Sequence, residues 1–140
     1  MARVERFEEL LAWRRARELA ALVFEAASEL PFARDFGLKD QANRSAASVA
    51  ANIAEGFERG SRAEFAQFLS IAKGSCGELR SHIYLAKDRG YLSDADFERL
   101  MHDAEDVGRI VGALRAAVAK QRDEAKARRP TQSSVLSPQS

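Results

Sequence analysis

The chain contains one cysteine, Cys76, which rules out an intrachain disulfide and a four-cysteine zinc site and makes a reducing cytoplasm the expected setting. Histidines are also scarce: only His82 and His102 are present. There is no Gly-x-Ser-x-Gly elbow, and the glycines form no phosphate-cradling loop, so the common catalytic constellations find little support. No apolar run is long enough to span a membrane. The charged start MARVERFEELL lacks the apolar stretch and cleavage site of a secretory signal. An excess of one charge is missing as well. With 22 basic and 21 acidic residues the net charge is +1, so no global field draws the protein to nucleic acid or anionic lipid.

What is present is a chain of 140 residues, 46% hydrophobic and 31% charged, which suits one domain with a core of its own. Apolar residues recur at helical spacing in four stretches, and none reads as a strand. The first helix is expected from Val4 to Leu30, with Leu10, Trp13, Ala16, Val23 and Ala27 on its stripe and Pro31 closing it. The second is expected from Lys39 to Glu58, with Asp40 standing in for a missing Ser or Thr cap and Gly60 as its stop. Ser61 with Glu64 signals the start of the third, whose stripe includes Phe65, Leu69, Cys76 and Ile83 and which Gly90 ends. Ser93 with Asp96 signals the fourth, carrying Phe97, Met101, Val107 and Val111. Short connectors between long helices predict an all-α, antiparallel up-down-up-down four-helix bundle over residues 1–126. The polar, proline-containing end predicts a disordered tail over residues 127–140.

The stretch SVAANIAEG is unusual, because Ser45 to Ala54 carry no charge at all. On a helical wheel Leu38, Ala42, Ala46, Val49, Ile53 and Phe57 form a core stripe. Gln41, Ser45, Ser48, Asn52 and Glu55 form a second, polar stripe, and alanines fill much of the rest. An ordinary surface helix would carry lysines and glutamates there, so this helix is expected to be covered on two sides. Gly74 and Gly77 sit in the middle of the third helix, where each should cost about 1 kcal/mol relative to alanine. Close backbone approach offsets such a cost, either inside one bundle or between subunits. The polar stripe favours assembly, with Gln41, Arg44, Ser45, Ser48, Asn52, Glu55, Gly74 and Glu78 as the expected seam.

These residues also carry a resemblance. The run FGLKDQANRSAASVAANIAEGFERGSRAEFAQFLSIAKGSCGEL, with the Trp13 segment before it and GYLSDADFERL after it, resembles the bacterial four-helix-bundle proteins encoded in intervening sequences of 23S ribosomal RNA genes. Its most specific positions are Gln41, Arg44, Ser48, Asn52, Glu55 and Gly56, then Phe65, Phe68, Ala72, Gly74, Ser75 and Glu78. The resemblance implies a cytoplasmic bundle that assembles into a ring, a homopentamer, without enzymatic activity. The wider group is similar to an accessory protein of diversity-generating retroelements, which forms a basic ring and works with a reverse transcriptase and RNA. The near-neutral charge here departs from a strongly basic ring.

The expected role is therefore binding without catalysis, with RNA or a ribonucleoprotein as partner and neither cofactor, metal, membrane nor small-molecule substrate. Candidate contacts are Arg14, Arg15 and Arg17 on the first helix, Arg59 and Arg62 around the start of the third, and Lys120, Arg122 and Lys126 near the end of the fourth. Solvated surface charge explains the same residues. A protein-protein scaffold is the alternative role, with Trp13 and Tyr84 as anchors if they are exposed. A di-metal bundle is disfavoured, because Glu78 and His82, like Glu98 and His102, are spaced by four where Glu-x-x-His needs three. Glu55, if buried, must be neutral or paired with Arg44 or Arg59.

Overall fold

Asp35 accepts a hydrogen bond from the Leu38 amide at 3.2 Å and so caps the second helix one turn before the expected start. In the computed structural model, which describes residues 3–128, the four helices are α1 (Leu11–Ala27), α2 (Phe36–Glu58), α3 (Arg62–Asp88) and α4 (Asp94–Arg128). No strand occurs among the described residues. Each helix packs on its neighbour in sequence, and α1 also packs on α4, closing a cycle around one core. Leu19, Val49, Ile53, Leu69, Leu79, Val107 and Val111 are fully buried there. The helix faces predicted from periodicity are the ones that turn inward, as burial of apolar area requires.

Two helices have boundaries that differ from expectation, α1 at both ends and α2 at its start. The first helix does not begin at Val4: the Glu9 carboxylate accepts the Glu5 and Arg6 amide protons, both at 3.0 Å, and holds Phe7–Glu9 in a short 3-10 turn. Leu10 then takes an extended conformation (φ −73°, ψ 127°) before α1 starts. The turn is anchored by Phe7, whose ring meets Trp13 edge-on at 5.1 Å. At its other end α1 stops at Ala27, before Pro31, where the Ser28 hydroxyl donates to the Phe24 carbonyl at 2.6 Å. The second difference is the α2 cap already described. Asp35, rather than Asp40, supplies it, and Asp40 instead pairs with Arg44 one turn on.

The remaining ends follow local chemistry. Ser61 Oγ accepts the Glu64 amide proton at 3.1 Å, and Ser93 Oγ does the same for Asp96 at 3.1 Å. Gly60 (φ 86°) and Gly90 (φ 77°) occupy the left-handed region where the chain turns after α2 and α3. After α3 the Tyr91 amide reaches the Ala86 carbonyl and the Gly90 amide the Lys87 carbonyl, the paired bonds of a Schellman end. The expected tail from residue 127 lies outside the described residues except for Ala127 and Arg128, which are the last of α4.

Packing between α2 and α3 is tight at one glycine. Gly56 is buried, and a Cβ built on it would stand 2.6 Å from Phe68 Cβ. Only glycine lets the two backbones meet at that separation.

Candidate functional site

The residues of the expected seam fall into three environments. Ser45 is 1% exposed and belongs to the protomer core, its hydroxyl donating back to the Ala42 carbonyl at 3.1 Å. Ser48 and Asn52 are half-buried where α2 meets α3. Asn52 Nδ2 donates to the Ser48 carbonyl at 2.8 Å and to Ser48 Oγ at 2.9 Å, and Ser48 Oγ lies 2.9 Å from Ser75 Oγ. Ser75 in turn donates to the Ile71 carbonyl at 3.2 Å. Gln41, Arg44, Glu55, Gly74 and Glu78 form the third group and are exposed. Arg44 pairs with Asp40 at 2.8 Å and Glu55 with Arg59 at 2.9 Å, so neither needs a distant partner.

A Cβ on Gly74 or Gly77 would meet nothing within 4 Å. Close packing among the described residues of the bundle is therefore not the reason for either glycine, whereas Ser75 between them does meet Ser48 of α2. On the outer face of α3, Gly74 is accompanied by exposed Ile71 and Leu85 and by Glu78, while α2 exposes Ala47 and Ala51.

The basic candidates also separate. Arg15 is drawn to α4, where it donates to Asp106 at 2.8 Å, and it lies 3.5 Å from Glu18. Arg109 and then Arg15 hold the Asp106 carboxyl below its usual range. Arg59 contacts Glu55 and Glu64 and lies 5.0 Å over the Phe68 ring. Arg17 lies 5.6 Å over Trp13, and Arg14 donates to the Glu9 carbonyl at 3.2 Å. Lys120 is exposed on α4, outside the cleft formed by the remaining three.

Those three come together. Arg62 at the start of α3 faces Arg122 and Lys126 of α4 across an open cleft of about 830 Å³, with Gly60 and Ser61 at its edge. Arg122 contacts Asp123 at 3.0 Å, the one acid among the described residues that border the cleft. A neighbouring hollow of about 240 Å³ shares Arg62 and adds Arg3. The first turn of α3 thus carries a local concentration of positive charge that the net charge of the chain conceals.

Trp13 is half-buried beneath Phe7 and Arg17, whereas Tyr84 is 52% exposed and tilts against Phe97 at 5.4 Å. His102 is exposed, and half-buried His82 leaves Nδ1 without a hydrogen-bond partner. No cluster of three metal-ligating side chains occurs among the described residues. Burial pushes the Cys76 thiol up to about 11, which keeps it protonated at neutral pH. No helix among the described residues is long and apolar enough to cross a membrane.

Residue-by-residue reading missed two features. The corner of Asp35, Tyr91 and Arg89 joins the α1–α2 and α3–α4 connections, with Asp35 Oδ2 accepting from Arg89 at 2.7 Å and from Tyr91 at 2.9 Å. No local signal announces it. Lys73, Gly77 and Arg80 share one face of α3, and their spacing of four and three was a signal available in the sequence.

Fold and site together define an all-α four-helix protein whose polar chemistry lies along helix faces and at helix ends. The chain belongs to the family of 23S rRNA-intervening sequence proteins, which it matches over residues 8–113. Among solved structures it is similar to a protein of unknown function of the S23 ribosomal protein family from Bacteroides thetaiotaomicron. That similarity has a TM-score of 0.68 and 21% identity, over 74% of this chain and 97% of the other. It bears on the fold alone. Comparison with curated proteins finds no match.

Proposed function

We propose that this chain is a non-catalytic, cytoplasmic binding module, an antiparallel up-down-up-down bundle that assembles into a homopentameric ring and contacts RNA or a ribonucleoprotein. One observation carries the binding role: Arg62, Arg122 and Lys126, from opposite ends of two helices, border a single cleft. Phosphate oxygens fit such a cluster, since guanidinium and ammonium groups donate to them without base selectivity. A ring would repeat the cleft in every subunit and turn weak local contacts into avidity. Assembly is supported by Gly74, where an added Cβ would meet nothing within 4 Å among the described residues, beside exposed Ile71 and the alanines of α2. The protonated Cys76 thiol and the reducing setting a lone cysteine suits agree with a role that uses neither redox nor nucleophilic chemistry.

The test is fluorescence anisotropy of a short labelled RNA over a salt series. Binding should weaken steeply with salt, and Arg62→Ala with Lys126→Ala should reduce the logarithmic slope by about 0.7–0.9 per lost phosphate contact. Equal binding by the double variant, or insensitivity to salt, would refute the assignment. A protein-protein scaffold is the second reading, favoured by the exposed Tyr84, Ile71 and Leu85 of α3. Capture of the same protein partner from lysate with and without nuclease, and no RNA binding, would select it.

A further inference from the structure

Midway along their contact, α3 and α4 part around a second groove, of about 410 Å³. Its floor is made of small groups: Gly77 and Cys76 from α3, Gly108 and Ala104 from α4. Its rim carries Lys73 and Arg80 on one side and Arg109 and Glu105 on the other.

The glycines are not explained by helix packing. A Cβ at Gly77 would meet nothing within 4 Å, and one at Gly108 would stand at an ordinary 3.8 Å from Cys76 Cβ. Glycine is unfavourable in mid-helix, so alanine would serve both helices better if packing were the only demand. What the glycines do is bare two stretches of backbone and keep the groove open. Gly112, one turn further along α4, lies beside the Lys73 chain, where a methyl group would make an ordinary 3.5 Å contact with Nζ.

The rim is cationic. Lys73 and Arg80 enter no salt bridge among the described residues, and Arg109 shares Asp106 with Arg15. Among the described residues Glu105 is the only carboxylate that borders the groove. Two cations without salt-bridge partners among the described residues, a floor of small side chains and one acceptor make up a recognition set. The volume lies within the roughly 300–1,000 Å³ of small-ligand sites.

We propose that this groove binds a nucleotide. The phosphate lies between Lys73 and Arg80, the planar base rests over Gly77 and Gly108, and Glu105 accepts a hydrogen bond from a ribose hydroxyl or a base amino group. This is a bound ligand with no reaction attached to it, and it departs from the sequence expectation that no small molecule is involved. It does not depend on RNA binding at the start of α3, which uses different residues.

Isothermal titration calorimetry with adenosine monophosphate, adenosine and inorganic phosphate tests it on the full chain. Adenosine monophosphate should bind, and removing its phosphate or its nucleoside should each weaken binding by about tenfold or more. Gly77→Leu fills the groove with a better helix former, so it should melt at or above the wild-type temperature while binding falls by about tenfold or more. Lys73→Gln with Arg80→Gln should weaken binding and flatten its salt dependence. Undetectable binding by the wild type, unchanged binding by Gly77→Leu, or phosphate or adenosine binding as well as the nucleotide would overturn the proposal. Nucleotide binding retained by the Arg62→Ala, Lys126→Ala variant separates this site from the RNA cleft.

Discussion

Gly56→Ala isolates the contact that sets the spacing of α2 and α3. The added carbon would lie 2.6 Å from Phe68 Cβ, 3.2 Å from Phe65 Cδ1 and 3.4 Å from the Phe65 carbonyl oxygen. Carbon atoms in ordinary contact sit about 3.5–4.0 Å apart, so the helices must separate by about 1 Å at this level. Phe68 cannot relieve the clash by changing rotamer, because its Cβ is fixed to the backbone. Overpacking of this kind costs about 2–3 kcal/mol, while replacing a mid-helix glycine by alanine returns about 1 kcal/mol. The net destabilisation of about 1–2 kcal/mol corresponds to a fall in melting temperature of about 3–7 °C for a chain of this size. Gly74→Ala is the matched control. Among the described residues nothing lies within 4 Å of its added carbon, so in the dilute, dissociated protomer only propensity changes and the melting temperature should rise by about 2–3 °C, whereas in the proposed assembly the same methyl group meets a neighbouring subunit and lowers it. Thermal unfolding followed by circular dichroism, repeated over a range of protein concentrations to expose any contribution of assembly, measures both. If Gly56→Ala melts at or above the wild type, or if both variants shift alike, close approach of α2 and α3 is not the reason for glycine at position 56.

Replacing Ser48 and Asn52 together by leucine should lower the mass seen by light scattering more than the helix content seen by circular dichroism. Unchanged mass would refute an interfacial role for this pair. Cys76 should react with a disulfide reagent at pH 8 about two orders of magnitude more slowly than an ordinary thiol of pKa about 8.5, and denaturant should restore the rate; equal rates in the native protein would show that the thiol is not buried. The Asp35 carboxyl is held below its usual range by the Leu38 amide, then by the Tyr91 hydroxyl and Arg89. A depressed native pKa means that its stabilisation is present above about pH 4 and is lost as the pH falls through the native value. Asp35→Asn should therefore lower the neutral-pH melting temperature and flatten its acid dependence, whereas Asp40→Asn, at an exposed pair, should do neither; identical curves for the two variants would remove the special role of Asp35.

Features set by near neighbours in the chain were legible in the sequence. The Ser61 and Ser93 caps and the Gly60 and Gly90 turns depend on residues no more than five positions apart, and the inward stripes follow from spacing alone. Features set by distant partners were not. The α2 start depends on Asp35, whose other partners Arg89 and Tyr91 are 54 and 56 positions away. The break at Leu10 is local, but it rests on a glutamate bonding to backbone where a helix pattern is equally consistent. The basic residues show the same division: their identities are plain, yet Arg15 is neutralised by an aspartate 91 positions away, and Arg62 gains Arg122 and Lys126 only through folding.

The charge-free stretch from Ser45 to Ala54 combines two kinds of concealment. Ser45, Val49 and Ile53 are hidden by their own chain, and Ser48 and Asn52 are satisfied largely by each other and Ser75. Ala47 and Ala51 remain exposed, and alanine favours a helix whether or not another subunit covers it, so these two do not decide between the cases. Gly74 on α3 discriminates, because an exposed mid-helix glycine lowers stability while nothing among the described residues of its own protomer occupies the space it leaves. The proposed assembly supplies what the protomer lacks: a second backbone that approaches where only a hydrogen atom stands.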